Sequence, residues 1–148
     1  MDYKKYLFAA HSNDTLYNAG ILLLRIIFGL TMIGHGWGKF VNFTMLSVSF
    51  PDPIGLGSMI SLSLVVFAEL FASILLLAGL ASRMALIPLI INMLVAFFIV
   101  HAADPFANKE LAFLYLIVYI ALMITGPGKF SIDYYMSKKK NLFINNKK

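Results

Sequence analysis

The sequence predicts an all-α integral membrane protein, a four-helix bundle with both termini in the cytoplasm. Three observations predict it. First, the 148 residues are 60% hydrophobic and 13% charged, with mean hydropathy +0.83, against about 45–50% apolar and about 25% charged in soluble domains. A chain of this length forms one domain, and one so small cannot hide that much apolar surface, which excludes a water-soluble enzyme. Second, four apolar windows, 16–38, 54–82, 84–103 and 111–128, carry only Arg25 and Glu69 as formal charges; about 20 mostly apolar residues cross a bilayer. Third, no window alternates with period two, so a barrel is excluded, and backbone groups in lipid must be satisfied within helices.

The elements follow in order. Spans are expected at about 16–39, 55–80, 83–103 and 109–127, within one membrane domain 1–134, followed by a basic cytoplasmic tail 135–148 that frays in solvent from Lys138 onward. Pro51 and Pro53 break the chain after span one, and Phe43, Leu46, Val48 and Phe50 place that loop in the interface. Gly79 to Ser82 turns tightly into span three, with Ser82 as N-cap. Pro88 marks the start of span three or kinks it. Asp104-Pro105 closes span three and Gly126-Pro127-Gly128 closes span four. The first apolar run is too long for a signal-peptide core and no A-x-A site follows it, so no cleaved leader is expected.

Charge sets the orientation. An even number of spans puts Lys4, Lys5, Arg83, Lys129, Lys138, Lys139, Lys140, Lys147 and Lys148 on one side, against Lys39 and Lys109 on the other. Nine against two places both termini in the cytoplasm of a bacterial inner membrane. The basic residues form no face for nucleic acid; six of the twelve lie from Lys129 onward, as in a tail at a membrane surface. The absence of cysteine excludes disulfide relays, iron–sulfur clusters, Cys-ligated zinc and a thiol nucleophile.

Ionisable groups inside spans are expensive and point to function. Lys39 sits about 40° and His35 about 80° from Arg25 on the helical wheel of span one, with Gly29 and Gly36 flanking that arc for close helix approach. Helix depths make Arg25 and Glu69 a buried ion pair, either fixing register or supporting chemistry. His35, Lys39, His101, Asp104 and Glu110 fall at the outer helix ends. Of these, His35, Lys39 and His101 are expected to share a pocket, with Glu110 at its rim. Asp104 and Lys109 read as capping or snorkelling groups. Asn92 is an interhelical hydrogen-bond donor, Tyr115 and Tyr119 are packing residues, and the methionines are filler. No metal site is spaced in the sequence. No cofactor motif is evident either: a quinone remains open, and haem on His35 and His101 is the weaker reading.

Read together, these residues resemble the DoxX family, within the wider DoxX/DoxD-like group of small four-span bacterial membrane proteins. The resemblance rests on Leu24-Arg25-Ile26 with Gly29, His35-Gly36-Trp37-Gly38-Lys39-Phe40, Ala68-Glu69 and the run from Leu77 to Arg83. It continues through His101 and Glu110 to the run from Gly126 to Asp133. In this order the pieces cover residues 20–134 and are specific. The resemblance implies a four-helix membrane bundle with redox associations. One branch resembles the small membrane subunit of a thiosulfate:quinone oxidoreductase. Another is tied to oxidative-stress complexes containing superoxide dismutase and a sulfur transferase. Thiol-redox branches of the group use cysteines, which this chain lacks.

The expectation is a redox-associated membrane subunit, at most part of a quinone-linked oxidoreductase. It would bind a quinone or small sulfur-containing substrate in a polar pocket near the outer face. Its partners would be the bilayer, a soluble redox protein and further copies of itself. The alternatives are a non-enzymatic scaffold or assembly factor for a soluble partner, or a small-solute or lipid-binding protein.

Overall fold

The structure, a computed structural model, describes residues 14–145. Lys4, Lys5, Lys147 and Lys148, used above for orientation, lie outside the described residues. Helix α1 is Asp14–Val41 and α2 is the short Phe43–Leu46; α3 is Ser58–Ala78, α4 is Ser82–Val100, α5 is Phe106–Thr125 and α6 is Ile132–Asn145. Four of these, α1, α3, α4 and α5, are long and apolar enough to cross a membrane. No strand occurs among the described residues.

Each boundary has a local cause. Asp52 accepts hydrogen bonds from Leu56 N (2.9 Å), Gly57 N (2.7 Å) and Ser61 Oγ (2.8 Å), and so holds the entry to α3. The end of α3 is a Schellman closure: Gly79 adopts φ 69°, its N–H bonds Leu76 O, and Leu80 N bonds Leu75 O. Ala81 follows in the left-handed region at φ 47°. The side chain of Ser82 does not cap α4. The Asp133 carboxylate does so from 52 and 51 residues away, accepting from Ala81 N at 2.7 Å and Ser82 N at 2.9 Å. The two carboxylate oxygens divide the work, Oδ1 accepting from Ala81 N and Oδ2 from Ser82 N.

The spans pack around Met32, Leu76, Leu86, Leu89, Tyr119 and Leu122. A second cluster, Leu62, Val66 and Leu70, is covered by Phe43, Leu46 and Phe50, which fold back over one end of the bundle. Outward residues stay apolar, among them Leu23, Leu30, Ile91, Ile117 and Ile124, as a lipid-facing surface requires. α1 and α3 run antiparallel in close contact. A Cβ on Gly29 would touch Leu77 and Ser73 O, and one on Gly36 would collide with Leu70 N at 2.6 Å. The tail also differs from expectation: it is helical through Asn145, because Asp133 N bonds Gly79 O at 2.9 Å and Asp133 sits in the first turn.

Candidate functional site

Two polar centres lie at different depths. The first surrounds Arg25, which is 1% exposed. Its Nε donates to Leu76 O at 2.9 Å and Nη2 to Leu77 O at 2.8 Å, while Nη1 donates to Pro127 O at 2.8 Å and Phe130 O at 2.9 Å. One guanidinium thus bonds two carbonyls of the last turn of α3, Leu77 O and, beside its bond from Gly79 N, Leu76 O, where the helix dipole favours a cation. It also ties that end to the loop after α5. Asn18 Oδ1 accepts from Lys129 N at 2.6 Å, and Lys129 Nζ pairs with Asp14. That pairing raises the Lys129 pKa, chiefly through the hydrogen bond. At Asp133 burial pushes the carboxyl pKa up. Hydrogen bonds from Ser82 and Ala81, with the Arg25 charge nearby, outweigh it and hold the pKa below the ordinary carboxylate value. The Asp52 pKa is likewise lowered, chiefly by its bond from Gly57 N.

Arg25 therefore does not pair with Glu69. The residue level with the end of α3 is Arg25 itself. Gly36 lies against Glu69, and eleven residues of helix separate it from Arg25 by about 16 Å. No guanidinium spans that gap.

The second centre surrounds Glu69, which is 6% exposed and lies in a π-helical turn, Phe67–Ala72. Such turns recur at functional sites. Lys39 Nζ donates to Glu69 Oε2 at 2.6 Å, and Asn92 Nδ2 donates to Oε1 at 3.2 Å. Spans α1, α3 and α4 thus meet on one carboxylate. Asn92 acts as the interhelical donor expected from its place in an apolar span, and its partner is the residue the pattern did not supply.

Two cavities share this cluster. The larger, about 440 Å³, lies between α3 and α4 and has mostly apolar walls, including Leu64, Phe67 and Ile91, with Ser61, Lys39, Glu69, Asn92 and His101 as its polar groups. Leu64, Phe67 and Ile91 are also exposed on the outside of the spans, so the cavity opens toward lipid. The smaller, about 160 Å³, is lined by His35, Lys39, Glu69, His101, Asn108 and Tyr115 among others. His35 packs edge-on to Tyr115 at 6.2 Å, and Tyr115 OH bonds Thr31 Oγ1 at 2.7 Å.

Of the predicted pocket residues, His35, Lys39 and His101 come together. Glu110 does not: it is exposed and lines neither cavity. It stands in the first turns of α5, where the chain turns from α4, and Asn108 and Leu111 occupy the cavity wall instead. His101 Nδ1 lies 2.7 Å from Asp104 Oδ2, which orients the imidazole. Lys109 Nζ caps the end of α4 through the carbonyls of His101 (3.3 Å) and Ala102 (3.2 Å).

The chain matches the DoxX family over residues 20–102, a segment that ends just beyond His101. A Bacillus subtilis protein named "Putative oxidoreductase CatD" is 32% identical over 84% of this chain and 93% of its own length. A Haemophilus influenzae "Uncharacterized protein" is 30% identical over 80% of this chain and 92% of its own. The Escherichia coli "Inner membrane protein YqjF" is 27% identical over 84% of this chain and 97% of its own. No solved structure matches the chain.

Proposed function

The chain belongs to the DoxX family, and from that premise we propose that it is a redox-associated subunit of the bacterial inner membrane, with both termini cytoplasmic, that binds a quinone beside Lys39 and Glu69. One observation carries this reading. An apolar cavity of about 440 Å³, open on the lipid-facing side of α3 and α4, contains a Lys–Glu–Asn cluster. Small-molecule sites have volumes of about 300–1,000 Å³, apolar walls and a few convergent polar groups. The donor set fits a ring carbonyl: the Lys39 ammonium and the Asn92 amide both present N–H groups, while Glu69 holds them in place.

A bound quinone would supply two-electron, two-proton chemistry, with electrons exchanged through a partner protein. The chain's own residues bind and orient. Leu64, Phe67 and Ile91 exclude water around the ring, and Lys39 and Asn92 supply hydrogen bonds to a carbonyl. His101, held by Asp104, stands where both cavities meet, and the smaller cavity has room for a small sulfur-containing substrate. The names of the Bacillus subtilis and Escherichia coli relatives agree with a redox protein of the inner membrane.

The test is to isolate the protein from membranes in mild detergent, extract it for quinone, and titrate it with a ubiquinone or menaquinone analogue. Retention of quinone, lost in Lys39→Met and Asn92→Leu, is the expected result. A folded protein that neither carries quinone nor binds the analogue overturns the reading.

A further inference from the structure

A cavity of about 560 Å³ lies beside Ala78, the last residue of α3, far from the Glu69 cluster. Ile132, Tyr135, Met136 and Lys139 line it from α6, and Lys129 and Phe130 line it from the preceding loop. Spacings of three, four and seven residues put the four helical side chains on one face. That face is apolar and open: Tyr135 is 77% exposed, Met136 60% and Phe130 49%. Lysines stand at its edge, and none of the described lining residues is acidic.

Such a face is costly in bulk water and favourable at a membrane surface, where aromatic rings and lysine stems contact acyl chains and ammonium groups meet headgroups. Its height is fixed by the fold. Asp133 is bonded to Gly79, Ala81 and Ser82, so α6 is attached to the α3–α4 turn, at the end of two spans. Lys129 partly spends its charge on Asp14, which leaves Lys139 as the principal cation on this face.

We propose that this cavity seats an anionic phospholipid of the bilayer, its phosphate at Lys139 and Lys129 and its glyceride against Phe130, Tyr135 and Met136. The proposal is independent of quinone binding. Charge complementarity selects the occupant, since a zwitterionic headgroup offers the lysines no net charge.

Native mass spectrometry of the full chain with phosphatidylglycerol or phosphatidylcholine of identical acyl chains tests it. Phosphatidylglycerol should bind about fivefold more tightly, the factor expected for one lysine at a membrane surface. Lys139→Glu should abolish the preference, while Lys138→Glu, one residue off the cavity face, should largely keep it. Melting in phosphatidylcholine reports that each variant is folded, and Lys139→Gln replaces Lys139→Glu should the latter fail to fold. Equal binding of the two lipids, or equal losses in the Lys138 and Lys139 variants, overturns the site. Displacement of phosphatidylglycerol by equimolar inorganic phosphate overturns the choice of a lipid.

Discussion

Gly36 of α1 lies directly against Glu69 of α3: a Cβ at Gly36 would stand 2.8 Å from Glu69 C and 2.6 Å from Leu70 N. Both obstacles are backbone atoms and cannot rotate away. Close approach here brings Lys39, one helical turn beyond, within reach of the Glu69 carboxylate. Gly36→Ala is therefore expected to destabilise the protein by about 2 kcal/mol, as overpacked cores do, and to weaken quinone binding. Gly34→Ala, with nothing within 4 Å, should be neutral or gain up to about 1 kcal/mol. Thermal melting of the two variants in detergent checks both; equal melting points would show that the helices do not meet at Gly36.

Lys39 and Glu69 should couple, and Arg25 and Glu69 should not. Removing one partner of a buried pair costs about 3–5 kcal/mol. The Lys39 side chain retains 27% exposure, which reduces the expected cost of Lys39→Met to about 2 kcal/mol. A double-mutant cycle with Glu69→Gln should recover much of that. The same cycle with Arg25→Leu should be additive within about 0.5 kcal/mol.

Asp133 makes the junction at the α3–α4 turn acid-sensitive. Its folded pKa is lowered from the ordinary 3.8. Its contribution is therefore complete above that value and is lost as pH falls through the lower folded value. Asp133→Asn should cost about 1 kcal/mol at neutral pH, as loss of a helix cap does. The gap from the parent protein should narrow below about pH 4. Urea unfolding at several pH values measures it, and a gap independent of pH would mean that the carboxylate charge plays no part.

Both termini should lie inside the cell. A tag after Lys148 is expected to react with an impermeant reagent only once the membrane is opened, and a cysteine introduced at Asn108 should react in intact cells. The opposite labelling pattern would invert the bundle.

Much of the architecture was legible because bilayer thickness and backbone hydrogen bonding leave few choices for four apolar windows. The meeting of His35, Lys39 and His101 was legible because the first two lie in the last two turns of α1 and the third follows the end of α4. The partners of Arg25 and Glu69 were not. Pairing by charge overlooked that a guanidinium is equally well satisfied by backbone carbonyls, and that register depends on two small contacts, Gly29 on Leu77 and Gly36 on Leu70. Glu110 was misplaced for a related reason: sharing a depth with a pocket does not fix which way a helix faces. Asp133 carried a signal that went unread, an acidic residue after a Gly-Pro-Gly turn, because its targets lie about 50 positions earlier.

The bonds from Arg25 to Pro127 and Phe130 join positions 102 and 105 residues apart. During synthesis Arg25 enters the bilayer while both acceptors are still unmade. Until they emerge, this charge must borrow water or lipid phosphate for its Nη1 protons. A chain that stops before residue 127 therefore keeps a charged, partly unsatisfied group in the membrane, so the charge at position 25 is fully matched only once the loop after α5 exists.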